Sequence, residues 1–154
     1  TDPSSEFEQK VNNWLEKWSN KINDEWKSFI KPEDCSAGKM YGMVETHKTN
    51  NPVRVITSGC NTAVEKLSIL VEKTLYPIAD SLPSKIKDTS FTLDIIDNIN
   101  ESVLSDNHIL VSFDVVNMFP SIDNKSGLES VKNALSSNSF DIDSAQCIID
   151  ALEI

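Results

Sequence analysis

The chain has 154 residues, of which 39% are hydrophobic and 25% are charged, so a packed core is feasible and wholesale disorder is not expected. A formal net charge of −10 argues against a free-standing nucleic-acid-binding protein, because such affinity rests on neutralising phosphates. The polar N-terminus shows no secretory signal, and no apolar run approaches the roughly 20 residues that span a membrane.

The cysteines and histidines offer few metal ligands. Cys35, Cys60 and Cys147 have the spacing of neither a disulfide framework nor a zinc site, so we expect reduced thiols in an intracellular protein. The two histidines are too few for a histidine-based metal site. Because the first residue is Thr1 rather than Met, we expect a fragment or a processed piece of a longer protein.

One amphipathic helix is predicted over residues 6 to about 30, where apolar side chains recur at steps of three and four. Ser5 and Glu8 have the spacing of a capping box at its start, and Pro32 ends it. Packing against a neighbouring element is favoured over base stacking for its tryptophans. All three tryptophans of the chain lie in this stripe: Trp14, Trp18 and Trp26.

A β-hairpin is predicted next, with strands over residues 39–48 and 53–58. The second strand is rich in β-branched residues, and residues 49–52 have the composition of a turn. The tip of this hairpin is basic, with Lys48 before the turn and Arg54, the only arginine of the chain, after it.

Helices are predicted after the hairpin. Thr62 and Glu65 have capping-box spacing at the start of a long amphipathic helix, which we expect to kink or restart at Pro77. After a loop at 81–88, Ser90 can cap a second helix.

The segment from His108 to Pro120 is the most informative part of the chain. The apolar run 108–113 is typical of a buried strand, which would deliver Asp114 at its exit, and Phe119 follows five residues later. A carboxylate at a strand end can hold a divalent metal against a phosphate, although it can also only cap the next turn. Two further helices are predicted, one through Leu128, Val131, Ala134 and Leu135, and a last one capped by Asp143.

Three ordered blocks of the chain resemble reverse transcriptases. Tyr41-Gly42-Met43-Val44, His47-Lys48 and residues 51–58 resemble the fingers hairpin, and residues 111–119 resemble polymerase motif A. Residues 83–89 are similar to the Penelope-like retroelement branch of that family, and the whole resemblance covers roughly residues 38–135.

The resemblance implies an α+β fold. A fingers β-hairpin with flanking helices would be followed by the first strand and helix of a polymerase palm, so that the right-hand polymerase fold is incomplete. The implied organisation is an N-terminal amphipathic helix and connector at 1–35, a fingers subdomain at 36–105, and a truncated start of the palm at 106–154.

The resemblance also implies roles for single residues. Asp114 would ligate both Mg²⁺ ions of a two-metal site, and the backbone carbonyl of Val115 would face a metal. Lys48 and Arg54 would grip the triphosphate of the incoming dNTP, and Phe119 would be a steric gate that selects deoxynucleotides. The alternatives left open are a solvated turn lysine for Lys48, a surface cross-strand pair for Arg54 and a core aromatic for Phe119.

The implied activity is transfer of a nucleotide from a dNTP to the 3′-hydroxyl of a DNA primer on an RNA template, with no membrane partner. The chain has no Asp-Asp pair, which the family supplies from a later hairpin, so we expect it to be inactive alone. The main alternative is a non-catalytic acidic domain from a decayed retroelement that binds protein or template RNA. A third is an unrelated α+β interaction domain. The resemblance implies action in the nucleus or on ribonucleoprotein particles, and no localisation signal is visible.

Overall fold

The described part of the protein combines helices with one small sheet, so the predicted α+β class is confirmed. A computed structural model describes residues 2–82, 89–101, 109, 111–116 and 118–154. Within these residues no helix is both long enough and apolar enough to cross a membrane. The elements in chain order are α1 Ser4–Lys17, α2 Asp24–Ile30, β1 Lys39–Val44, β2 Val53–Ser58, α3 Glu65–Asp80, α4 Thr89–Glu101, α5 Met118–Ser121, α6 Asn124–Ser137 and α7 Ile142–Leu152.

The N-terminal stripe folds as two helices, so the prediction of one helix over 6–30 is wrong. The side chain of Asn23 accepts a hydrogen bond from the backbone N–H of Trp26 at 2.8 Å, and this N-cap starts α2 after the turn that follows α1. The predicted capping box at Ser5 is also wrong. Helix α1 begins at Ser4, directly after Pro3, because proline fits a helix start, where no amide partner is needed.

Helix α3 begins differently from the prediction. The hydroxyl of Thr62 donates to the carbonyl of Gly59 at 2.7 Å, so it caps no helical amide. The carboxylate of Glu65 instead accepts from the backbone N–H of Asn61 at 2.8 Å. The helix then runs through Pro77 to Asp80 without restarting, because a proline near the end of a helix forfeits only one backbone hydrogen bond.

The two C-terminal helices form where they were predicted. Asp123 caps α6 by accepting from the backbone N–H of Ser126 at 2.9 Å. The cap of α7 is Asp141, which accepts from Ser144 at 3.0 Å, and not the predicted Asp143. Both aspartates have suitable chemistry, but α7 begins earlier and places Asp143 in its first turn.

The predicted hairpin is confirmed. Strands β1 and β2 pair antiparallel, from Lys39 opposite Ser58 to Val44 opposite Val53. The first strand is shorter than predicted because the chain turns from residue 45 onward. Asn50 and Asn51 have φ of 66° and 45°, a left-handed conformation that asparagine tolerates better than most residues.

The hydrophobic core is helical and joins the two ends of the chain. The indole N–H of Trp14 on α1 donates to the backbone carbonyl of Cys147 on α7 at 3.0 Å, and both side chains are buried. Trp18 and Trp26 pack against the same core, which confirms the packing role expected for the tryptophans. The buried cluster comprises Val11, Trp14, Ile22, Ile30, Leu67, Val71, Leu135, Cys147, Ile148, Ile149 and Ala151.

The described residues within 108–113 do not form the predicted buried strand. Ile109 and residues 111–113 have no strand conformation, and the exposed fractions of Ile109 and Phe113 are 85% and 93%. His108 and Leu110 lie outside the described residues. A buried strand requires neighbouring strands for its backbone groups, and the only sheet among the described residues is the β1–β2 pair.

Candidate functional site

Two of the predicted site residues, Lys48 and Arg54, converge at the tip of the hairpin. The Lys48 ammonium lies 3.0 Å from Oε2 of Glu45, and the Arg54 Nη2 atom lies 2.5 Å from Oε1 of the same carboxylate. Each cation therefore holds one oxygen of Glu45. The turn places them there because Lys48 follows Glu45 by three residues, while β2 brings Arg54 opposite Met43, two residues before Glu45.

The backbone of the turn fixes Glu45 in this position. Its N–H donates to the carbonyl of Pro52 at 2.9 Å, and its carbonyl accepts from the N–H of Lys48 at 3.1 Å. The side chain of Glu45 is only 13% exposed. The hydrogen bond from Lys48, together with the charge of Arg54, lowers the pKa of Glu45 below its usual range, although burial opposes this shift.

The hairpin is a locally basic part of an acidic chain. Residues 39–58 contain Lys39, Lys48 and Arg54 against the single carboxylate of Glu45, which gives a formal charge of +2. The whole chain carries −10, so the remaining residues carry −12. An anionic ligand that approaches this protein is therefore attracted to the hairpin and repelled by most of the remaining surface.

The predicted metal ligands, Asp114 and Val115, lie on an exposed part of the chain. Asp114 and Val115 are exposed and belong to no helix or strand. Within the described ranges, no hydrogen bond or ion pair joins Asp114 to Glu45, Lys48 or Arg54. Phe119 lies in α5, but its side chain is outside the described part of the structure. Its role as a steric gate therefore stays a prediction.

The donors that the structure describes do not fit a two-metal site by themselves. Such a site needs several carboxylates around a pair of divalent ions. The part of the chain described here contains no group of three or more His, Cys, Asp or Glu side chains that could hold a metal ion. Asp114 supplies one carboxylate and Val115 one carbonyl, so the Mg²⁺ site stays a prediction from the resemblance.

Glu45 was not predicted from the sequence as a site residue. Its signal was present in the chain, because it is the only acidic residue of the hairpin and precedes Lys48 by three positions. That spacing alone does not predict an ion pair outside a helix. The turn geometry is needed to bring Arg54 to the second oxygen of the same carboxylate.

A second polar cluster joins the two ends of the chain beside the helical core. Lys21 lies 3.1 Å from Asp141 and 3.4 Å from Asp143, and Lys17 and Trp18 both donate to Asp150. Hydrogen bonds from Ser144, and then the contact with Lys21, strongly lower the pKa of Asp141. These contacts hold α7 against α1 and the turn after it.

Comparisons with known proteins give no relative of this chain. No protein-family model, no curated protein and no solved structure matches it. Its function is therefore inferred from its residues and from the geometry of the hairpin tip.

Proposed function

We propose that this chain is part of an RNA-directed DNA polymerase of the Penelope-like type, and that its hairpin contacts the triphosphate of an incoming deoxynucleotide. The observation that carries the proposal is the convergence of Lys48 and Arg54 on the two oxygens of one carboxylate. Cations arranged to hold carboxylate oxygens can hold phosphate oxygens, for which the arginine fork and the lysine point charge are well suited.

The charge distribution supports the same proposal. The hairpin carries +2 in a chain of −10, and its tip carries +1, from Lys48 and Arg54 against Glu45, because Lys39 lies at the opposite end of β1. An anionic ligand is therefore favoured at the tip over most of the remaining surface. The order of the hairpin before the segment of Asp114 also agrees with the resemblance. In the proposal Asp114 supplies one carboxylate of a catalytic site. Because the chain has no Asp-Asp pair, we expect it to bind nucleotides without polymerising them.

The test is nucleotide binding by the 154-residue chain, measured by isothermal titration calorimetry with dATP. Lys48→Ala and Arg54→Ala should each weaken binding by about fivefold, the effect of losing an exposed charge-assisted contact of about 1 kcal/mol. Lys125→Ala on α6 is the matched control, since it removes an exposed lysine away from the hairpin. Equal affinities of the wild type, the two hairpin variants and the control variant for dATP would refute the proposal.

A second candidate function is a non-catalytic acidic domain that binds protein or template RNA. The observation in its favour is that, among the residues that the structure describes, the hydrophobic core is built from α1, α2, α3, α6 and α7, without the hairpin or the segment of Asp114. A folded chain that binds an RNA oligonucleotide but shows no affinity for dATP would favour this candidate over the first.

A further inference from the structure

Glu45 occupies the point where the proposed function expects a polyphosphate. Its two carboxylate oxygens are each held by one cation of the hairpin tip, and its own backbone is fixed by Pro52 and Lys48. The side chains of Lys48 and Arg54 are 50% and 62% exposed, while that of Glu45 is 13% exposed. The cations therefore stay open to solvent on the side away from Glu45.

We propose that Glu45 is a positioning residue that holds Lys48 and Arg54 together and that must release them, at least in part, when a polyphosphate binds. This inference rests on the proposed function, because it assigns that ligand to the same two cations. The ligand class is an anion with several adjacent phosphate groups. In the bound state each cation would contact its own phosphate group, whereas without the ligand both cations share the carboxylate of Glu45.

Two effects of the carboxylate oppose each other. By holding both long side chains near one point, Glu45 reduces the conformational entropy that they lose on binding a ligand. By neutralising their charge, it competes with an incoming anion. Because both cations are at least half exposed, their ion pairs with Glu45 contribute little net free energy, so a multiply charged ligand can displace the single carboxylate. The carboxylate thereby selects for polyphosphates over monovalent anions.

Substitution of Glu45 separates the two effects. Glu45→Gln keeps an oxygen that can accept a hydrogen bond from either cation and removes the competing charge, so it should bind inorganic tripolyphosphate about fivefold more tightly than the wild type. Glu45→Ala removes both effects and should bind more weakly than Glu45→Gln. A residue that only stabilises the hairpin would weaken binding in both variants.

The matched control is Glu33→Gln, which changes the net charge equally in the exposed connector before the hairpin. It should leave the affinity within about twofold of the wild type. The connector lies at the base of the hairpin, and the length of β1 separates it from the tip by about 20 Å, so its exposed charge is largely screened. The gain from Glu45→Gln should also vanish when Lys48 and Arg54 are both replaced by alanine, since the coupling acts through these cations.

The experiment is calorimetric titration of the full chain with tripolyphosphate, with circular dichroism to compare the folds. A gain in affinity for Glu45→Gln that depends on Lys48 and Arg54 and exceeds the affinity of Glu45→Ala supports the inference. A different outcome is that the wild type binds tripolyphosphate through these cations while Glu45→Gln has no higher affinity than the wild type, or the same affinity as Glu45→Ala. In that case the inference is overturned and the proposed function is unaffected. If binding depends on neither cation, both are overturned.

Discussion

Leu135 tests whether the C-terminal helices belong to the same core as the N-terminal ones. It lies on α6, its side chain is fully buried at 0% exposure, and it packs in a cluster that includes residues of α1, α3 and α7. The Leu135→Ala change removes about three carbon atoms from this cluster. At about 0.8 kcal/mol per buried methylene, the transfer loss is roughly 2 kcal/mol.

The cavity left by Leu135→Ala adds to this loss, because a packed interior relaxes only partly around a deletion. We therefore expect the free energy of unfolding to fall by about 3 kcal/mol, within the range of about 2–5 kcal/mol usual for such changes. For a chain of this length that corresponds to a fall in Tm of roughly 6–12 °C.

The assay is urea unfolding followed by tryptophan fluorescence, since Trp14 is buried in the same cluster. Leu82→Ala is the matched control, because Leu82 is exposed just after α3 and its truncation should change the unfolding free energy by less than about 0.5 kcal/mol. A loss below about 1 kcal/mol for Leu135→Ala, or an equal loss in both variants, would refute the packing of α6 into this core.

Two further predictions concern titratable groups. The lowered pKa of Asp141 means that its contribution to stability is present above its unfolded pKa of about 4 and is lost as pH falls below that value. Asp141→Asn should therefore show a shallower fall in Tm between about pH 5 and 3, and an unchanged slope would contradict this. Burial raises the pKa of the Cys147 thiol to about 11, so in the native chain it should react with a thiol reagent at least about a hundredfold more slowly than the exposed Cys60. Peptide mapping after a short exposure to iodoacetamide measures both rates, and equal labelling would contradict the burial of Cys147.

The elements that could be predicted from the sequence are those set by local chemistry. The hairpin follows from β-branched residues in 53–58 and from asparagines that tolerate the left-handed turn. Helix α6 follows from its apolar spacing. By contrast, the break between α1 and α2 could not be predicted from the apolar pattern, because this pattern continues across the turn. Only the Asn23 cap marks the break.

The features that escaped prediction depend on contacts between distant parts of the chain. The run 108–113 has the composition of a buried strand, but a strand forms only where another strand can pair with it. At the candidate site, the basic pair Lys48 and Arg54 could be read from the sequence. Their convergence on Glu45 could not, because it depends on how the turn and the register of β2 orient the three side chains.

Binding of a nucleotide triphosphate at the hairpin tip can be tested by mapping where the nucleotide binds. The backbone amide signals of the ¹⁵N-labelled chain would be followed by NMR during titration with dATP. We predict shifts concentrated in residues 45–54, and their loss when Lys48 and Arg54 are both replaced by alanine. Shifts confined to the helical core, or no shifts at concentrations where the nucleotide is in large excess, would contradict this prediction.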